Sequence, residues 1–136
     1  MNDDNKIIVL IIKTGKTPKV KAIEYNIKSM QEIVGGTTTS FMPFKDDVTI
    51  VCNDEGKING MPLNRAICDN NNEIIDVVAG DFFMCRSPSN SESFQSLSEE
   101  QIKKYKKMFQ YPENFVISNK GIKVIKVIPK GKERER

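Results

Sequence analysis

The 136-residue chain has no histidine and no tryptophan, and only three cysteines, Cys52, Cys68 and Cys85. Without histidine there is no Ser-His-Asp or Cys-His triad, no two-His zinc site, no His-x-Glu deaminase centre and no imidazole for general acid-base work. Catalysis would fall to carboxylates, lysine, tyrosine or a lone thiolate. The cysteines form no Cys-x-x-Cys pair, and their odd number suits reduced thiols in a core better than a disulfide framework or a metal shell. A long hydrophobic run is also missing. The run from Ile7 to Ile12 has six residues, far short of a membrane span. Ahead of it, Met1-Asn2-Asp3-Asp4-Asn5 is acidic where a secretory signal is basic. The expected location is therefore the cytoplasm, with no membrane partner.

The length suits one domain with one core. Lys and Arg number 21 against 18 Asp and Glu, a net charge of +3. That sum hides a division. Residues 119–136 carry an excess of five positive charges, so residues 1–118 are net about −2. The expected organisation is a compact α+β domain over 1–118, followed by a basic edge strand and tail over 119–136. A basic tail can contact nucleic acid or an acidic partner; the plainer alternative is a solvated end beginning near Pro129.

Lys6 to Lys13 is a continuous Ile- and Val-rich run, as in a strand covered on both faces. A turn at Thr14-Gly15-Lys16-Thr17-Pro18 leads to a second strand over Lys19 to Tyr25. Asn26 can N-cap a helix carrying Ile27, Met30, Ile33 and Val34, which Gly35-Gly36 stops. Strands are then expected at Thr37 to Phe44 and Val48 to Asn53, the latter running into a turn in which Gly56 takes positive φ. Asn59-Gly60 and Asp69 to Asn72 mark further reversals. Glu73 to Arg86 reads as two strands with a kink at Gly80. The second helix is the best specified: Ser98 and Gln101 form a capping box, and Leu97 and Ile102 a hydrophobic staple. Ile102, Tyr105, Met108 and Phe109 make its apolar stripe, and Lys103, Lys104, Lys106 and Lys107 its polar back. It ends near Tyr111-Pro112. Lys120 to Pro129 is the last expected strand. The fold class is α+β: a mostly antiparallel sheet, flat or curled, with two helices packed on it.

Chemical motifs are sparse. Thr14-Gly15-Lys16-Thr17 resembles the end of a phosphate-binding Walker loop, but the upstream glycine is missing and Val9 to Ile12 lie inside a strand. Gly35-Gly36 follows a helix rather than opening one. Asp54, Glu55, Asp76 and Asp81 would have to converge to hold a divalent ion. Asp76 and Asp81 sit amid apolar residues, where an ionised carboxylate needs a partner, and Arg65 is the natural one; the other reading is an outward-facing aspartate. Met61-Pro62-Leu63-Asn64-Arg65 joins a proline-fixed turn to an amide and a guanidinium, suited either to recognising a phosphate, carboxylate or carbonyl, or to closing a turn and tying two strands together.

In order along the chain, Val34-Gly35-Gly36, Val51-Cys52-Asn53-Asp54-Glu55-Gly56-Lys57, Leu63-Asn64-Arg65-Ala66, Ile75 to Phe83, Phe94 and Leu97-Ser98-Glu99-Glu100-Gln101 resemble the domain-of-unknown-function family 3846. The resemblance covers about Lys6 to Phe115. Asp81 departs from the small or hydroxyl residue expected there, and the basic extension after Asn119 is less typical. What the resemblance implies is setting rather than chemistry: small proteins of phages, plasmids and mobile elements of Gram-positive bacteria, with no activity to carry over.

The leading expectation is a non-enzymatic, cofactor-free binding protein, a counter-defence inhibitor that occupies a host defence protein or sequesters a nucleotide signal. Its expected binding residues are Asn53, Glu55, Asn64, Arg65 and Asp76, with no catalytic or metal-ligating residue. The second is a nucleic-acid-binding accessory protein using Lys103, Lys104, Lys107, Lys130 and Lys132. A carboxylate-metal hydrolase is the third. Monomer and homodimer are both compatible with an exposed edge strand near Ile122.

Overall fold

The computed structural model describes residues 5–129. A run of apolar residues without alternation must be covered twice, and the three central strands are the most thoroughly buried. Strands β1 (Lys6–Ile12), β2 (Lys19–Glu24), β3 (Thr38–Phe41), β4 (Val48–Asn53) and β7 (Phe82–Arg86) form a five-stranded sheet in the order β2-β1-β7-β4-β3. Every pairing in it is antiparallel.

Helix α1 (Ile27–Val34) covers one face, where Met30 and Val34 meet Val9, Ile11, Val51 and Phe83. Asn26 accepts from the Ser29 amide at its start, and Gly35 takes φ 80° at its end. The opposite face, carrying Leu10, Ile12, Ile50, Phe82 and Met84, is covered by helix α2 (Glu99–Met108) and by a separate hairpin of β5 (Leu63–Cys68) and β6 (Ile74–Ala79). Strands β8 (Glu113–Ser118) and β9 (Gly121–Lys126) make a third, two-stranded sheet. The result is one α+β domain with no closed barrel.

The capping box at Ser98 and Gln101 is present. Gln101 also fastens the helix to the body, because its Nε2 donates to Asp46 Oδ1 at 3.1 Å and Asp47 Oδ1 at 2.7 Å. Below it, Tyr105 Oη donates to Asp46 Oδ2 at 2.8 Å. Tyr105 and Phe109 are buried and Ile102 packs on the core, but Met108 stays 40 % exposed.

Several local expectations are corrected. Gly56 does not adopt positive φ; a Cβ there would lie 2.8 Å from the Ala79 carbonyl oxygen, so close approach of the backbone is what requires glycine. Strand β8 was not expected; it pairs with β9 across the turn after Ser118, so the expected last strand forms in a separate two-stranded hairpin rather than on the main sheet. Cys52 and Cys85 are buried thiols, whereas Cys68 is exposed.

Candidate functional site

Strand β5 carries an irregularity that decides the fate of two expected binding residues. Leu63 pairs with Ala79 and Arg65 with Val78, leaving Asn64 as an extra, bulged residue. A regular strand would send neighbours to opposite faces; the bulge turns both inward. Asn64 and Arg65 are both 0 % exposed. Asn64 Nδ2 donates to the carbonyls of Ile12 and Gly80, each at 2.9 Å. Arg65 directs its five N–H groups at Asn64 O and Oδ1, Lys16 O and, twice, Phe109 O. Its expected carboxylate partner is not there: Asp76 pairs with Lys57 at 2.8 Å, and Asp81 Oδ1 accepts from the Thr14 amide at 3.0 Å. Burial lowers the Arg65 pKa from its ordinary value, with the Glu113 carboxylate acting in the opposite direction. Charge is balanced instead by carbonyl dipoles, including the negative end of α2.

Asn53 has a parallel role. Its Nδ2 donates to Val34 O at 3.1 Å, satisfying a carbonyl at the end of α1, while its Oδ1 accepts from the Glu55 amide at 2.8 Å. Asn53, Glu55 and Asp76 do share one cleft, of about 320 Å³, closed at its rim by the Lys57–Asp76 pair and the exposed Ile58. Asn64 and Arg65 lie elsewhere. Among the described residues no side-chain cluster could hold a metal ion, and no buried side-chain nitrogen or oxygen lacks a partner. The polar groups inside the domain are spent on its own backbone.

Of the expected nucleic-acid contacts, Lys103, Lys104 and Lys107 are exposed on α2. Lys104 is partly engaged, 4.0 Å from Asp46 Oδ2 and 5.2 Å from the Tyr105 ring. Lys130 and Lys132 lie outside the described residues.

One exposed surface is apolar. Among the described residues, six of the thirteen exposed large hydrophobic residues, Val116, Ile117, Ile122, Ile125, Val127 and Ile128, lie on or just after the β8–β9 hairpin. Glu113, Phe115 and Ile117 face the same way as Lys126, Val124 and Ile122. The base of that face leans on β5, where Glu113 Oε1 accepts from the Ala66 amide at 2.8 Å. Its tip does not: Ile117 is 69 % exposed. Between hairpin, β5–β6 and the end of α2 runs a groove of about 700 Å³ lined by Cys68, Ile74, Met108, Ile122 and Lys126. Sequence reasoning missed this surface because β8 was not recognised; the alternation of Phe115 and Ile117 against Asn114 is the signal that could have found it.

A family model described as "Domain of unknown function (DUF3846)" matches residues 6–110, ending before the β8–β9 hairpin. No curated protein and no solved structure matches the chain. Among the described residues no helix is long and apolar enough to cross a membrane.

Proposed function

The chain belongs to the DUF3846 family, and from that premise we propose that it is a non-enzymatic binding protein that acts by covering a partner protein with its C-terminal hairpin. One observation carries the reading: the exposed apolar side chains of β8–β9, which occupy both faces of a projecting two-stranded ribbon. A two-stranded hairpin is marginal by itself, and apolar residues gathered on one give it something to bury. Met108 and Ile74 extend the same surface across the groove. Consistent with occupation rather than turnover, the buried polar residues make their bonds within the fold.

The proposal includes a setting. In a phage or mobile element of a Gram-positive bacterium, a small protein that covers a host surface serves as a counter-defence inhibitor, and its target is a host defence protein acting in the cytoplasm. Sequestration of a nucleotide signal is the less favoured form, because the cleft holding Asn53, Glu55 and Asp76 is lined by carboxylates and offers Lys57 already paired. Contact with nucleic acid through the α2 lysines would rest on Lys103, Lys106 and Lys107, which have no carboxylate within 4.0 Å among the described residues.

The test is retention of host proteins on the immobilised full chain, with Ile117→Lys/Ile122→Lys beside it and sedimentation of each protein alone. One stoichiometric partner retained by the wild type and lost by the double variant is expected. Equal retention by both sinks the reading, as does a sedimentation shift showing that the apolar ribbon is consumed in self-association.

A further inference from the structure

Apart from the C-terminal surface, the β1–β2 hairpin carries a feature that the net charge of the domain conceals. The register pairs Ile11 with Lys19 and Val9 with Lys21. Continuing the alternation, Lys13 and Thr17 fall on the same face as Lys19 and Lys21. This is the face α1 covers further along, where Ile7, Val9, Ile11 and Ile23 enter the core. Towards the turn that cover ends, and a hollow of about 400 Å³ opens over Ile11, lined by Lys13, Lys16, Thr17, Lys19 and Lys21. No acidic residue lines it.

Among the described residues, none of the four lysines has a carboxylate within 4.0 Å. Like charges side by side on a sheet repel and cost stability, so an unrelieved group of four is an expense to the fold. The turn bearing them is nevertheless held at two points. Arg65 Nη2 donates to Lys16 O at 2.6 Å, and the Thr14 amide donates to Asp81 Oδ1 at 3.0 Å. A buried cation thus stands behind the hollow and fixes its rim. Glu24, Glu32 and Asp81 lie in an adjoining hollow shared with Lys13 and Lys21, which confines the purely basic region to the end near Lys16 and Lys19.

We infer that this lysine-lined hollow binds a run of phosphate groups. Lysine is a flexible point charge suited to phosphate oxygens, Thr17 adds a hydroxyl, and the volume is that of a small-ligand site. The lining contains no aromatic ring, so recognition is of phosphates and not of a base. The Thr14-Gly15-Lys16-Thr17 segment is therefore not a Walker loop, which would wrap a helix N-terminus; it is the tip of a hairpin that gathers lysines from both strands. A free polyphosphate group and a nucleic-acid backbone share this chemistry.

Binding to the full chain is measured by calorimetry with inorganic tripolyphosphate and by anisotropy with a labelled oligothymidylate, from low to physiological salt. Lys13→Glu/Lys19→Glu is compared with Lys103→Glu/Lys107→Glu, and circular dichroism checks that both fold. The hairpin variant is expected to bind about tenfold more weakly or worse, with the helix variant like wild type. Oligonucleotide binding should show a log–log salt slope of about −3 for four contacts. Tripolyphosphate bound without the oligonucleotide assigns the site to a free ligand, and the reverse assigns it to a nucleic-acid backbone. The inference fails if neither probe binds at low salt, or if the helix variant loses as much as the hairpin variant.

Discussion

Arg65 donates twice to the carbonyl oxygen of Phe109, from Nε at 3.3 Å and Nη2 at 3.1 Å. Phe109 closes α2, and the last carbonyls of any helix have no partner within it. A residue of β5 supplies one. The same guanidinium reaches Lys16 O, so one side chain couples the end of α2 to the turn of the β1–β2 hairpin.

Arg65→Met keeps much of the apolar volume and removes all five donors. It should lower stability by about 2–4 kcal/mol, because the buried carbonyl of Phe109 and the partly buried one of Lys16 lose their donors. Urea unfolding measures it; a loss below about 1 kcal/mol would mean that water replaces the guanidinium without difficulty.

Two glycines should respond differently to alanine. Gly56→Ala places a Cβ 2.8 Å from the Ala79 backbone oxygen, and strands must shift to accept it, at about 1–3 kcal/mol. Gly15→Ala meets nothing within 4 Å and pays only for its φ of 78°, about 1 kcal/mol. Thermal unfolding of the pair that ranks Gly15→Ala as the more damaging would contradict the packing at Gly56.

Acid should weaken the attachment of α2 through Asp46. Burial raises its pKa, but bonds from Tyr105, Gln101 and the Asp47 amide, with Lys104 nearby, outweigh that, and the net value lies below the ordinary 3.8. A carboxylate lowered in the folded state stabilises fully above its unfolded pKa and loses that contribution as pH falls through the folded one. The stability gap between wild type and Asp46→Asn should therefore be constant near neutrality and shrink below about pH 4. Urea midpoints across that range measure it, and a gap independent of pH would show that Asp46 titrates as in the unfolded chain.

Thiol chemistry should single out Cys68. It is exposed, whereas burial pushes the Cys85 thiol up to about 12 and also raises Cys52, the latter further raised by Asp76. Iodoacetamide at mildly alkaline pH followed by peptide mapping should label Cys68 alone in the folded protein, and all three cysteines in urea. Cys68 should still react more slowly than a free thiol, since partial burial and the Glu113 carboxylate raise its pKa. Labelling of Cys85 at a comparable rate would contradict its burial.

Legibility followed the range of the interaction. The α2 start was readable because its cap, its N3 glutamine and its staple lie within five residues of one another, and β1 because an unbroken apolar run has one stable environment. Strand β8 was not, since Pro112 and the polar Glu113-Asn114 pair look like a loop until Phe115 and Val124 are brought together across a turn. Asn53, Asn64 and Arg65 stood out as candidate recognition residues. Their use did not.

Read alone, the sequence excluded histidine chemistry, pointed to an α+β domain and marked Asn53, Asn64 and Arg65 as polar residues with a task. Tertiary structure alone decided what satisfies them: Asn53 meets the end of α1, Arg65 the end of α2, and Asn64 the carbonyls of Ile12 and Gly80. It also decided where positive charge is left over, on one face of the β1–β2 hairpin. The reason is that a donor's demand is a property of its side chain, whereas the nearest unpaired acceptor lies 16 to 52 residues away for the Asn53, Asn64 and Phe109-directed Arg65 bonds, and only the packed fold brings the two together.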